Sequence, residues 1–254
     1  MSAIGGYNSN DLLEQLDYEL IAANPKIFIG YSDVTAVQAA IWQRAGLSTM
    51  YGPALLPQFG EYGGVHEYTW QAFARTLMET EPVGELMPSQ EWTADLQRWD
   101  EEDDRLRAMQ ANPGPRSVRA GSSEGWLAPA NLTTLLALAG TPFWPNLSGA
   151  ILCLEADEEE TPATIARRLR QLRQIGAFAK INALLVGRVP PGVGLAATEL
   201  ERMLLETTAP SRFPIAVDFD FGHTDPMFVL PWGVRGSLDT GEGARLTLLE
   251  AAVQ

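Results

Sequence analysis

Apolar positions along the chain alternate between two spacings. Ile27, Phe28 and Ile29 form a short β-prone run closed by Gly30, and Val34, Val37 and Ile41 follow at helical spacing. This predicts strand, tight turn and helix in direct succession. Further strands are predicted over Leu47–Tyr51, Ile151–Leu154, Ile181–Val189, Ile215–Phe221, Phe228–Trp232 and Ala244–Leu249, with Pro231 confining its strand to a sheet edge. Helices are predicted over Asp11–Ile21, where Leu12, Leu16 and Leu20 recur every four residues, and over Glu67–Met78, Asn131–Leu138 and Leu195–Leu205. Another is capped by Thr161, begins at Pro162 and closes at Gly176. Alternating strands and helices place the chain in the α/β class. From Pro82 to about Gly125 the pattern weakens, so two units are expected: residues 1–82 and 123–254, joined by a linker or lid over 83–122. Trp92 and Trp99 are unusual in a solvated linker, and predict a segment that either packs on the body or covers a ligand.

The 254 residues suffice for a sizeable core. A net charge of −14 and a pI near 4.5 argue against nucleic acid and anionic membrane surfaces as partners. There is no apolar run of transmembrane length and no signal-peptide pattern at Met1, so a cytoplasmic protein is expected. The one cysteine, Cys153, lies in an apolar strand and reads as a buried structural thiol. With two histidines and no cysteine cluster, neither a zinc site nor another cofactor is expected.

Three polar residues sit where predicted strands end. Ser32 occupies the turn after Ile27–Ile29, Glu155 follows Ile151–Leu154, and His223 follows Ile215–Phe221. Ligands of α/β proteins gather at the carboxyl ends of strands. A serine hydroxyl becomes nucleophilic when an imidazole takes its proton, and a carboxylate fixes that imidazole's tautomer. Two of these residues also have a plainer reading: Ser32 as a helix N-cap and His223 as a turn residue bonded to Asp225. His66, just before a helix, reads as a surface or capping residue. Gly5-Gly6 is an ordinary turn, or a loop whose N–H groups donate to an oxyanion. The order Ser, Glu, His suits an α/β-hydrolase, but Gly30-Tyr-Ser-Asp-Val34 lacks the second glycine of that fold's elbow motif.

Taken together, Ile4-Gly-Gly-Tyr-Asn-Ser-Asn10, Asn24-Pro-Lys-Ile-Phe-Ile-Gly-Tyr-Ser-Asp33, Tyr51-Gly-Pro53, Asn131-Leu132, Gly140-Thr141, Ile151-Leu-Cys-Leu-Glu155 and Phe221-Gly-His-Thr-Asp-Pro-Met227 resemble the LD-carboxypeptidase family of serine peptidases (S66), and within it the microcin C self-immunity branch. The resemblance implies a Ser32, Glu155, His223 triad and an oxyanion hole from the Asp33 N–H and the Gly5-Gly6 loop. It also implies substrate contacts at Trp92, whose ring would stack on adenine, and at Asn131. The implied fold is a parallel-sheet α/β nucleophile domain, here incomplete, and a C-terminal α/β domain with swivelling β-structure; a homodimer is expected.

The implied substrate is a peptidyl- or aminoacyl-nucleotide, hydrolysed at its amide bond. The alternatives are a murein tetrapeptide with a terminal L,D linkage, and a truncated relative that only binds a ligand or partner. Two departures carry expectations of their own. An N-terminal region on the order of 70 residues is absent, which would leave the Ile27–Ile29 strand without neighbours. Ala128-Pro-Ala130 stands where the family has a Gly-Gly pair, so a close backbone approach is expected to be lost.

Overall fold

The computed structural model describes residues 1–97 and 104–254. Trp99 and most of the acidic run Asp100–Asp104 lie outside the described residues. In chain order the regular elements are α1 (Tyr18–Ala23), β1 (Ile29–Gly30), α2 (Thr35–Ala45), β2 (Met50–Tyr51), α3 (Glu67–Leu77), β3 (Gly84–Glu85), β4 (Glu91–Trp92), β5 (Gln110–Ala111), β6 (Arg116–Arg119), β7 (Ser122–Asn131), α4 (Leu132–Ala137), β8 (Ala150–Glu155), α5 (Pro162–Gln174), β9 (Ala183–Gly187), α6 (Ala197–Thr207), β10 (Ile215–Phe219), β11 (Leu230–Pro231), β12 (Arg235–Asp239) and β13 (Arg245–Leu248). This is a mixed α/β fold with a parallel centre.

An eight-stranded sheet has the order β3-β13-β12-β7-β8-β9-β10-β6, and β7 to β10 run parallel within it. Its central strands are apolar on both faces, as buried parallel strands must be. In β8, Leu152 and Leu154 face a cluster with Ile165, Leu169 and Leu172 of α5 and Leu200 and Leu204 of α6. Ile151 and Cys153 face the opposite cluster, with Phe219, Phe221 and Phe228. Burying such a leucine fully is worth about 1.5–3 kcal/mol. Helix α5 starts where Thr161 accepts the Thr164 N–H and Thr164 returns a bond to the Thr161 N–H, with Pro162 in the first turn.

The N-terminal elements attach to this core through α2. Its first seven residues, Thr35 to Ile41, are all buried, and its alanines let it approach Leu132, Leu135 and Leu136 of α4. Gly46, in the left-handed region, ends it.

Several sequence expectations need correction. Strand β1 does have neighbours: it pairs in parallel with β2 (Ile29 beside Met50), β11 adds antiparallel to the far side of β2, and the Ser2 N–H donates to the Ile29 carbonyl at 2.8 Å. Pro231 does lie in an edge strand, β11. The Asp11–Ile21 helix is instead a single 3₁₀ turn at Ser9–Leu12 and a separate α1. Asp17 is the reason: its extended backbone interrupts the helix and its carboxylate accepts the Leu20 N–H at 2.9 Å. Leu12 and Leu20 are accordingly exposed, and Leu13 is the buried residue of that stretch.

The span 83–122 is also more than a linker. It supplies β3 and β6, opposite edges of the large sheet, and a small ladder in which Glu91 faces Ala111 and Trp92 faces Gln110. Strand β7 carries Ala128-Pro-Ala130 in the sheet interior, with both alanines fully buried. Pro129 is tolerated because its nitrogen shares the side of Leu127, and β12 pairs only with residues 122–126 before turning away.

Candidate active site

The carboxyl ends of β1, β2, β7, β8 and β10 converge on one cluster of polar side chains. Ser32 holds φ at 64°, a left-handed conformation that serine adopts only under constraint. It opens the 3₁₀ turn Ser32–Val34 that runs into α2, and its side chain caps neither element. The N-cap reading of Ser32 is therefore set aside. The strained backbone instead aims the hydroxyl at His223, with Oγ 3.1 Å from Nε2. His223 reaches this position from the end of β10 through Gly222, at φ 100°. Its Nδ1 lies 2.6 Å from Glu155 Oε2, and the Tyr31 ring braces the imidazole edge-on at 5.1 Å.

Glu155 is almost fully buried at the end of β8, and its second oxygen is occupied. Oε1 accepts the Tyr51 hydroxyl at 2.5 Å and the Asn131 side-chain amide at 3.0 Å. The Tyr51 oxygen in turn accepts the Ser32 N–H at 3.0 Å. The bonds thus form a closed ring: Ser32 hydroxyl, His223, Glu155, Tyr51, and back to the Ser32 backbone. Burial, together with the Glu155 charge, raises the Tyr51 phenol well above its usual range, so it stays a neutral donor. For His223 the two influences oppose. Burial lowers the imidazole pKa, but the Glu155 charge and hydrogen bond outweigh it, helped by Glu158 and Asp157, and the result is a rise to about 9.

Gly5 lies against Ser32, and Gly6 lies near the Asp33 carboxylate. A Cβ on Gly5 would stand 3.1 Å from Ser32 Cβ and 3.2 Å from its Oγ. The Gly5 backbone therefore passes the hydroxyl at a distance a side chain would obstruct. The Asp33 carboxylate accepts the Ser9 N–H at 2.9 Å, which ties the loop after Gly6 to the serine turn. Asn131 sits beside Glu155 in this cluster. It is 2% exposed, its Oδ1 caps α4 through the Thr133 and Thr134 N–H groups, and its amide donates to Glu155. The cause is register: Asn131 and Glu155 are neighbours across the parallel β7–β8 ladder.

Trp92 lies half-buried in β4, with one face 4.5 Å from the Arg188 guanidinium. Arg188 is itself paired with buried Asp220 at 2.8 Å. The adjacent Thr93 exchanges two backbone hydrogen bonds with Asp225, two residues beyond His223. His66 stands apart from this ring, 3.3 Å from the Glu61 carboxylate, and Cys153 is fully buried with its thiol pKa raised by burial. Among the described residues no group of three potential metal ligands occurs, and no helix is long and apolar enough to cross a membrane.

Sequence reasoning missed Gln58, Glu61 and Arg107 as parts of this region, and it named Tyr51 and Asp225 only within motifs or turns, without the contacts they make here. Tyr51 alone left a usable signal: it ends the strand that follows the Ser32 helix, at the same edge of the sheet.

The fold and the polar ring define an α/β protein of the hydrolase type. The profile for the LD-carboxypeptidase N-terminal domain matches residues 1–52, and that for the C-terminal domain matches residues 124–238. The chain belongs to the LD-carboxypeptidase (S66 peptidase) family. Within that family it falls in the MccF-like branch. It is 35% identical over 243 residues to the microcin C7 self-immunity protein MccF of Escherichia coli, an alignment covering 94% of this chain and 70% of that protein. The crystal structure of an MccF-like protein from Bacillus anthracis superposes with a TM-score of 0.91 at 34% identity, covering 98% of this chain and 75% of that one. MccF in complex with aspartyl sulfamoyl adenosine superposes with a TM-score of 0.90 at 32% identity, covering 100% and 76%.

Proposed function

We propose that the protein is a serine-type amide hydrolase that releases an aminoacyl or peptidyl group from a nucleotide-like moiety. The observation that carries this reading is the continuous hydrogen-bonded chain from Ser32 Oγ through His223 to Glu155. In the first half-reaction His223 Nε2 takes the Ser32 proton while Oγ bonds to the acyl carbon, and the carbonyl π electrons move onto oxygen. Main-chain N–H groups of Asp33 and the Gly5-Gly6 loop stabilise that oxyanion. As the tetrahedral species collapses, the C–N bond breaks and His223 protonates the leaving nitrogen. Water then attacks the acyl-serine with His223 as base, freeing the acid and restoring the hydroxyl. Glu155 holds the imidazole throughout and stabilises its cationic form. A positioned base contributes about 10²- to 10⁴-fold, and each oxyanion donor about 10²- to 10³-fold.

The nucleotide half of the proposed substrate rests on relatives: solved MccF complexes hold aspartyl sulfamoyl adenosine and glutamyl sulfamoyl guanosine. Trp92 supplies an aromatic face for the base, on the segment joined to the His223 loop. The test is incubation with aspartyl sulfamoyl adenosine and chromatography of the products. Free aspartate and sulfamoyl adenosine are expected from the parent protein and neither from Ser32→Ala. The family's LD-carboxypeptidase profiles favour one second reading, hydrolysis of a peptide ending in D-alanine. A murein tetrapeptide assayed in parallel distinguishes the two.

A further inference from the structure

Arg107 joins three separate pieces of chain. Its Nε and Nη2 grip the Glu61 carboxylate at 2.6 and 3.0 Å, and Nη2 also donates to Asp225 Oδ2 at 2.8 Å. All three side chains are more than nine-tenths buried: Arg107 is 9% exposed, and Glu61 and Asp225 are 8% exposed. Ion pairs at the surface are solvated and worth little, whereas two buried carboxylates facing one guanidinium depend on it for compensation.

The position of Asp225 gives this cluster its meaning. It lies two residues beyond His223, and its backbone N–H and carbonyl are both bonded to Thr93, at 3.0 and 2.6 Å. Its other carboxylate oxygen lies 3.4 Å from Gln58 Nε2, which also reaches the Tyr31 hydroxyl at 3.3 Å. Tyr31 is the ring braced against the His223 imidazole. Arg107 therefore acts on the His223 loop from two directions: directly through Asp225, and through Glu61 on the chain just beyond Gln58.

We propose that Arg107 is a positioning residue for the reaction: by compensating Asp225 and anchoring it to Glu61, it holds the His223 loop where the imidazole meets Ser32. This rests on the serine-hydrolase reading above. Without Arg107, Asp225 loses its direct cationic partner, and the one other basic group beside these carboxylates is His66, which lies 3.3 Å from Glu61 and makes no bond to Asp225. The loop then relieves that charge by moving toward water, and the 3.1 Å approach of His223 to Ser32 is lost with it.

The test uses a fluorophosphonate probe on the full chain. Ser32 attacks phosphorus and displaces fluoride, so the labelling rate reports the competence of the Ser32–His223 pair without any substrate contact. Labelling is followed in the parent, Arg107→Met, Asp225→Asn and the double variant, with thermal unfolding run on each to measure the folded fraction. A tenfold or greater slowing in folded Arg107→Met is expected, and the double variant is expected to be no slower than Arg107→Met, because both changes act through one contact. A smaller slowing, or additive losses in the double variant, overturns the proposal while leaving the hydrolase reading intact. If Arg107→Met does not fold, Asp225→Asn decides: it retains the Arg107–Glu61 grip, and less than a threefold slowing overturns the proposal. A parent protein that does not label at Ser32 overturns the hydrolase reading and this inference together.

Discussion

The Tyr51 hydroxyl lies 2.5 Å from Glu155 Oε1 and donates to it, while the same oxygen accepts the Ser32 N–H. One phenol thus ties the backbone of the strained serine turn to the carboxylate that orients the imidazole. Glu155 is buried, so its oxygen finds no water when the phenol is removed. Tyr51→Phe keeps the ring and its packing on Tyr31 and Phe221. The lost bonds should cost about 1–3 kcal/mol of stability, the usual cost of stranding buried polar groups. Turnover should fall about tenfold as the serine turn and Glu155 lose their common anchor, equivalent to about 1.4 kcal/mol of barrier. Chemical denaturation and steady-state rates on an aminoacyl sulfamoyl adenosine check the two effects separately.

Activity and stability should move in opposite directions with pH. His223 titrates near 9 in the folded protein against an ordinary 6.5, so folding tightens its proton. The stabilisation this provides is fully present below about pH 6.5 and is lost as pH rises toward 9. Catalysis needs the neutral imidazole, so kcat/KM should climb through the same window and level off above it. Glu155→Gln removes the charge that raises the imidazole pKa. The rate limb should then shift to lower pH while the plateau falls by about 10²-fold or more, since the imidazolium formed in the reaction loses its counter-charge. A pH–rate profile that does not move in Glu155→Gln would contradict the assignment of that limb to His223.

Gly222 is constrained by its neighbour as well as by its backbone. At φ 100°, a Cβ there would lie 2.7 Å from both Glu155 Cβ and Oε2. Neither atom can yield: Glu155 is fixed at a strand end by Tyr51, Asn131 and His223. Gly222→Ala should therefore cost about 1–3 kcal/mol in stability from backbone strain alone, and should displace His223 enough to abolish measurable fluorophosphonate labelling. Thermal unfolding and labelling together distinguish a folded, misaligned protein from an unfolded one.

What the sequence disclosed follows from how each residue is held. Ser32, Glu155 and His223 each end a run of apolar residues, so their shared location at strand ends could be read from local pattern alone. Tyr51 disclosed its place at a strand end but not its partners, which are 19 and 104 positions away. Strand β7 was missed because its first half, Ser122-Ser-Glu-Gly125, is polar and its second half contains Pro129. Only the arrangement of β12 explains why proline is admissible there. The helix expected over Asp11–Ile21 followed a real leucine spacing, but the Asp17 cap divides it, and a local competition between cap and stripe cannot be resolved by periodicity. Asn131 stood out through its motif, but its bond to Glu155 follows from cross-strand register, which a single sequence does not display.

Trp92 already has a partner on one face. One face covers the Arg188 guanidinium at 4.5 Å, a contact that contributes to packing whatever the protein binds. If the other face receives a nucleobase, as proposed, Trp92→Ala removes a stacking contact worth about 1–3 kcal/mol. KM for an aminoacyl sulfamoyl adenosine should then rise about tenfold, corresponding to about 1.4 kcal/mol. Trp92→Phe restores an aromatic face of smaller area and should recover most of that loss. A purely structural tryptophan would behave differently: loss of the Arg188 contact would lower the unfolding temperature of Trp92→Ala, while KM stayed at the parent value in both variants. Measuring KM and unfolding temperature on the same two variants therefore assigns Trp92 to the ligand or to the interior packing.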